Sequence, residues 1–243
     1  MESINDWTLS IEYKHSLKVA YVDFSKASDS VSHEKLFVRI ASYGIRGNSL
    51  QWLREYFSER THQTRVGFAF SVVIELLSGV VQGSGIGPLL FLSYSNELAE
   101  ILERAGVTVK LFADDVKLYI KVVNDCDALK LQNALDLPTQ WANMWPLSVS
   151  VDKCCVLGIG RFPVTAPTDF YIDGHKLSLV SFCRDLGVTV SHDLKPPHIR
   201  QIVTKAHQRA NAILCSFVSR DTDLLLRAFT VYVLPLLEYN SIV

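Results

Sequence analysis

The chain has 243 residues, 49% of them hydrophobic and 20% charged, which is ample for a buried core and excludes wholesale disorder. Its 24 Lys and Arg against 25 Asp and Glu leave a formal net charge of −1, so bulk charge cannot hold a nucleic acid and any such partner needs a local patch. Five cysteines with no C-x-x-C pair argue against a disulfide framework or a cysteine zinc site, and fit reduced thiols inside a cell.

Residues 1–6 lack the basic and apolar regions of a signal peptide, and no charge-free apolar run reaches the roughly 18 residues of a bilayer span. The expectation is an intracellular protein with no membrane partner, nucleus or cytoplasm left open. Residues 18–24 read as a buried strand ending at Asp23. Ser32 is placed to cap a helix that turns Leu36, Phe37, Ile40 and Ala41 inward and stops at Gly44. A short helix around Leu50, Leu53 and Phe57 follows, then a β-rich stretch over 64–77 in which Val66, Phe68 and Phe70 alternate. Residues 78–87 form a Gly-rich loop, and Pro88 suits the first turn of a helix carrying Leu90, Phe91, Tyr94, Leu98, Ile101 and Leu102 inward to Gly106. Residues 107–113 and 116–122 are strands meeting in a tight turn at Asp114-Asp115. A helix over 127–145 carries Pro138, where a kink is expected.

Strand-like segments cover 147–159 and 170–180, the second folded at Asp173-Gly174, and 186–190. Two helices, 197–217 and 223–237, close the chain. The first two thirds therefore reads as an α/β sheet with helices on one face and the last quarter as helical, with a soft boundary at 182–195. Residues 174–209 carry a net charge of +4, whereas residues 1–60 balance to zero. That surplus could track phosphates, but on charge alone a solvated helix face is the preferred reading.

Three carboxylates occupy special places. Asp23 closes a hydrophobic strand, and Asp114 and Asp115 sit at the bend of a hydrophobic hairpin. Each alone reads as turn chemistry. If the hairpin pairs beside the Asp23 strand, all three meet at one sheet end, where their mutual repulsion calls for a cation. An oxygen-only ligand set favours Mg²⁺ or Mn²⁺. Two such ions about 3.5–4 Å apart serve nucleotidyl transfer.

These segments resemble a known family in order. Residues 20–31, with Asp23-Phe24-Ser25-Lys26-Ala27-Ser28-Asp29, resemble motif A of non-LTR (LINE-type) retrotransposon reverse transcriptases, usually written DFSKAFD. Ser78-Gly79-Val80-Val81-Gln82-Gly83-Ser84 and the following Gly87-Pro88-Leu89-Leu90-Phe91 resemble motif B. Leu111-Phe112-Ala113-Asp114-Asp115 is similar to motif C, residues 145–158 to motif D, and Arg184-Asp185-Leu186-Gly187-Val188 to the primer-grip element. The resemblance implies an α+β polymerase palm, an antiparallel ferredoxin-like sheet with helices on one face. It places the palm and partial fingers over 1–182, and the primer grip and a partial helical thumb over 183–243.

It further implies RNA-directed DNA polymerase activity with two Mg²⁺ ions (Mn²⁺ as an alternative), an RNA template, a DNA primer and deoxynucleoside triphosphates. Asp23, Asp114 and Asp115 would hold the metals, with the Phe24 carbonyl as a further ligand. Ser28, Gln82 and Gly83 would face the nucleotide. Lys153 would be a general acid toward pyrophosphate, and Arg184, Lys195, Arg200 and Lys205 would follow the primer-template backbone.

The chain departs from the family pattern in three ways. Ser28 stands where the family has a bulky aromatic that excludes a 2′-hydroxyl, Val81 replaces the motif B proline, and only 22 residues precede Asp23 where the family has basic fingers. A truncated, inactive polypeptide is therefore one expectation. Three readings stay open: a reverse transcriptase, complete or truncated; a catalytically silent retroelement remnant that at most binds nucleic acid; and another palm-like enzyme such as a nucleotidyl cyclase, which the Gln82-Gly83 loop and the basic later part disfavour.

Overall fold

Near-continuous burial marks the strand on which the rest is assembled. In the computed structural model, which describes residues 2–160, 169–194, 197–219 and 221–239, helix α1 (Glu2–Glu12) leads into β1 (Ser16–Val22). Every residue of β1 except Lys18 and Tyr21 is buried, as a strand flanked on both sides requires. After the two-residue β2 (Phe24–Ser25) comes α2 (His33–Ser42), started by Ser32, whose hydroxyl accepts from the Lys35 amide at 3.5 Å. Helix α3 (Gly47–Phe57) follows. Then come two nested ladders, β3 (Thr61–His62) with β6 (Ile74–Glu75) outside and β4 (Arg65–Val66) with β5 (Ala69–Phe70) inside.

Helix α4 (Gly87–Arg104) has proline in its first turn. Strands β7 (Thr108–Phe112) and β8 (Asp115–Val122) form an antiparallel hairpin, and α5 (Asp125–Met144) opens with a capping box between Asn124 and Asp127 and runs through the buried Pro138. Next are β9 (Ser148–Val149), a 3₁₀ turn (Val151–Lys153) and β10 (Cys155–Ile159). The remaining strands are β11 (Tyr171–Ile172), β12 (His175–Lys176), β13 (Ser178–Val180), β14 (Phe182–Asp185) and β15 (Val188–Ser191). Helices α6 (Pro197–Ser216), α7 (Thr222–Tyr232) and α8 (Leu234–Glu238) end the chain. Among the described residues no helix is long and apolar enough to cross a membrane.

The main sheet has the order β13-β10-β1-β8-β7. Its last four strands therefore stand fourth, first, third and second in a β-α-β-β-α-β plan, with α2 to α4 linking β1 to β7 and α5 linking β8 to β10. The chain divides into two compact units, one built on residues 19–156 and the other on residues 1–18 and 179–243. In the first, Val22, Phe24, Leu36, Leu98, Leu118, Leu131 and Trp141 belong to one continuous core. In the second, Leu186 and Gly187 form a hairpin turn with φ of 46° and 86°, and the Tyr239 hydroxyl donates to the Leu186 carbonyl at 2.8 Å.

Several sequence expectations change in detail. The turn between β7 and β8 is Ala113-Asp114, not Asp114-Asp115, because Asp115 is paired with Phe112 inside the ladder. Leu186 lies in a turn, not a strand, and the last helix is broken at Val233 before Pro235. The β-rich stretch over 64–77 forms the two short ladders, with Val66, Phe68 and Phe70 all exposed. Helix α6 buries only Ala206 fully among its described side chains and leaves Val203 exposed.

Three elements of the first unit are tied by one ion pair. Arg39 of α2 pairs with Glu97 of α4, the Arg39 guanidinium lies 4.3 Å from the ring centroid of Trp145, and the Trp141 indole donates to Glu97 at 3.4 Å. Burial pushes the Glu97 carboxyl up, but the Arg39 hydrogen bond and charge and the indole donors outweigh it and hold the group below its ordinary value. A depressed carboxylate adds stability above its unfolded pKa, and that stability is lost as pH falls through the folded value. In urea titrations Arg39→Met should therefore be less stable than the parent at pH 7 by about 1 kcal/mol, a partly exposed pair being worth no more. The gap should close as pH drops below the ordinary carboxylate range; a gap independent of pH would refute this account.

Candidate active site

Asp23 emerges where β1 stops and is clamped from one side. Its backbone amide points at Cys154 Sγ at 3.5 Å, its carbonyl accepts from the Ser150 amide at 2.8 Å, and its Oδ1 accepts from Lys153 Nζ at 3.1 Å. The clamp continues as β2 pairs with β9, Phe24 opposite Val149 and Ser25 opposite Ser148. The Phe24 ring is buried edge-on to Trp141 at 6.2 Å, so its side chain serves the core and only its backbone is left for the site. Burial pushes the Cys154 thiol up to about 11, which keeps it a neutral packing group and not a nucleophile.

The second and third carboxylates approach from β8, the neighbour of β1 in the sheet. Lys117 Nζ lies 5.8 Å from the Tyr21 ring, which sets the start of β8 beside the end of β1. Asp23 and the 113–115 bend thus share one end of the sheet. Asp114 is half-buried and Asp115 exposed. Ala113 holds a left-handed φ of 52° and Lys26, three residues after Asp23, one of 49°. Two such non-glycine positions flanking the acids mark backbone strain held by the surroundings, a frequent feature of functional sites.

The Gly-rich loop is stapled to the segment that follows Asp23. The Val80 amide donates to the Ser28 carbonyl at 2.7 Å and the Gly79 amide to the Val31 carbonyl at 2.8 Å. The Ser78 hydroxyl donates to the Asp29 carbonyl at 2.9 Å, the Gln82 amide to Asp29 Oδ1 at 3.2 Å, and His33 Nε2 meets the Gly79 carbonyl at 2.8 Å. Gly79 has a φ of 90°, and a Cβ there would stand 2.9 Å from the Asp29 backbone. Asp29 and His33 hold this loop and are the positions that sequence reasoning missed. Asp29 was visible as the next acid after Asp23, whereas nothing local marked His33.

These contacts put the predicted nucleotide residues in one place. Ser28, Gln82 and Gly83 line a pocket of about 600 Å³ together with Phe91, Leu111, Phe112 and Ala113. Gln82 also borders a second pocket of about 720 Å³, walled by Lys26, Asp29, His33, Arg60 and His62. Arg184, Arg200 and Lys205 are exposed and belong to the other unit, and Lys195 lies outside the described residues.

The donor set suits a hard cation, being carboxylate oxygen at one strand end with a cation, Lys153, already drawn to it. As the side chains stand, no group of three or more His, Cys, Asp or Glu among the described residues is gathered closely enough to hold a metal ion. The Asp23–Lys153 pair is partly exposed and cheap to open.

The sequence profile of a family described as reverse transcriptase (RNA-dependent DNA polymerase) matches residues 2–190. A probable RNA-directed DNA polymerase from transposon BS of Drosophila melanogaster is 26% identical over 232 residues, covering 88% of this chain and 24% of that protein. The RNA-directed DNA polymerase from the mobile element jockey of the same species is 26% identical over 191 residues, covering 76% of this chain and 21% of the relative. The chain thus spans about a quarter of the length of these curated relatives. Among solved structures, apo telomerase from Candida tropicalis aligns with a TM-score of 0.55 at 12% identity, over 80% of this chain and 39% of that one. Telomerase from Candida albicans in complex with a fragment of telomeric RNA aligns with a TM-score of 0.53 at 13% identity, over 98% and 43% respectively. These likenesses establish a polymerase palm-type α+β fold.

Gly79→Ala should cost about 1–3 kcal/mol from the left-handed φ alone, read as a lowered unfolding midpoint. Gly85→Ala, where no positive φ and no close neighbour stand, should leave stability unchanged. Equal effects at the two positions would show that the staple does not hold the loop.

Proposed function

This chain belongs to the reverse transcriptase family, of the non-LTR retrotransposon kind, and we propose that it carries the palm of an RNA-directed DNA polymerase extending a DNA primer on an RNA template. The observation that carries the reading is the shared sheet end: Asp23 at the close of β1 beside the Ala113-Asp114-Asp115 bend of its neighbour β8. In this reading residues 1–182 hold the palm with partial fingers, and 183–243 the primer grip and a partial thumb.

Asp23, Asp114 and Asp115 would hold two divalent ions, Mg²⁺ by their oxygen chemistry with Mn²⁺ as a substitute, and the Phe24 carbonyl would add a further oxygen. Bound there, the ions would lower the pKa of the primer hydroxyl and offset charge on the leaving pyrophosphate. The protein's own part is positional. The strained backbone at Lys26 and Ala113 fixes the approach of the acids, and the staple through Asp29 fixes Gln82 and Gly83 opposite Ser28. In this reading Lys153, an ammonium 3.1 Å from Asp23, would give up its proton to the departing pyrophosphate. Ser28 in the nucleotide pocket leaves space for a 2′-hydroxyl. Arg184, Lys195, Arg200 and Lys205 would follow the primer-template phosphates.

Primer extension on an RNA template with Mg²⁺ tests the assignment. Asp114→Asn and Asp23→Asn should each lower the rate at least about a thousandfold, as loss of charge stabilisation at a transferring phosphoryl group does. A chain that binds the hybrid but extends nothing would instead be the silent remnant. Ser28→Phe, assayed with matched ribo- and deoxyribonucleotides, should reduce ribonucleotide incorporation about tenfold or more relative to deoxyribonucleotide, as a filled pocket excludes the extra hydroxyl. Unchanged selectivity would remove Ser28 from the sugar pocket.

A further inference from the structure

Outside the acidic site, α3 displays a column of planar groups. Trp52 stacks on Tyr56 with ring centroids 5.6 Å apart and planes 19° from parallel, and the Arg60 guanidinium lies 4.3 Å from the Tyr56 ring centroid. The three stand at i, i+4 and i+8 in sequence, so α3 and the turn beyond it carry them along one line. Arg60 is pinned in place, its Nε donating to the Tyr56 carbonyl at 2.6 Å. Trp52 is 54% exposed although one face is covered by Tyr56, which leaves the opposite face to solvent. A core aromatic would be covered on both faces; Phe57, on the other side of the same helix, is 4% exposed against Phe37 and His33.

The column leads somewhere. Arg60 is also a wall of the 720 Å³ pocket that contains Lys26, His62 and Gln82. The acids beside it are Asp29, whose Oδ1 accepts from the Gln82 amide, and Glu75, while Glu55 on α3 accepts from Gln51 and Glu59 precedes Arg60. A surface that begins with an open indole face and ends in a guanidinium and an ammonium is poorly matched to an apolar protein helix. It matches a strand of bases and phosphates, in which bases stack on aromatics without sequence preference and cations meet the backbone.

We propose that the Trp52–Tyr56–Arg60 column is a stacking track for the single-stranded part of the template, guiding unpaired RNA toward the pocket beside Gln82. The proposal rests on the polymerase reading for the word template; the surface itself asks only for single-stranded nucleic acid.

The test is binding without Mg²⁺ or nucleotides, so that it stands whether or not the chain extends a primer. Two RNA–DNA hybrids of equal duplex length are compared by fluorescence anisotropy, one blunt and one with a six-nucleotide 5′ RNA overhang. The overhang should tighten binding to the parent chain about tenfold or more, and quench tryptophan emission. Trp52→Ala and Arg60→Ala should remove that gain while leaving blunt-hybrid affinity unchanged, and Trp52→Phe, which keeps an aromatic face, should restore most of it. Equal loss on both hybrids, or no loss on either, overturns the track. So does a shift from dimer to monomer in Trp52→Ala with the overhang gain intact, because the face would then serve a second copy of the chain.

Discussion

Where β1 stops decides the chemistry available to this molecule. A strand buried on both faces and flanked by β10 and β8 cannot shift register without exposing Leu17, Val19, Ala20 or Val22, so its last residue is fixed in space by apolar packing far from any substrate. Asp23 inherits that precision. Its backbone is then gripped by the amide of Ser150 and the thiol of Cys154, which leaves only the carboxylate free to choose partners. The hydrophobic effect thus supplies rigidity, and the carboxylate at the end of the strand is what the rigidity positions.

The Asp23–Lys153 pair shows how a carboxylate at a sheet end is balanced by the protein itself. A partly buried acid at a sheet end is favoured by a nearby counter-charge. Lys153 supplies one from the same segment that clamps the Asp23 backbone, so the counter-charge and the clamp come from adjacent residues of one 3₁₀ turn. Because the ammonium is largely exposed, its hold is weak, and a divalent ion carrying twice the charge can displace it.

Much of this was legible in the sequence, for identifiable reasons. Val19, Ala20 and Val22 announce a central strand, Ser32 and Gly44 bracket α2, and Pro88 opens α4, because each rests on a local rule of backbone or burial. The acids were found by their place at strand ends. Exposure was not legible over 64–77: Val66, Phe68 and Phe70 alternate, yet all three lie open on the short ladders. Turn placement failed by one residue at Ala113, since a left-handed alanine runs against the usual preference for Asn, Asp or Gly. The roles of His33 and Cys154 were beyond reach, as both depend on partners 46 and 131 residues away in the chain.

The staple between residues 28–33 and 78–82 adds a constraint that the motifs do not reveal when read one at a time. Gly79 passes so close to the Asp29 backbone that no side chain fits, and this approach lets a single carboxylate hold the Gln82 amide while its own carbonyl takes the Ser78 hydroxyl. The two segments are therefore joined by a contiguous set of hydrogen bonds of 2.7 to 3.2 Å. This has a bearing on Ser28. A small residue beneath a loosely held loop would let the pocket collapse, whereas beneath a stapled loop it leaves a lasting space bounded by Phe91 and Phe112. Loop rigidity, together with the small side chain at position 28, is what keeps that space open.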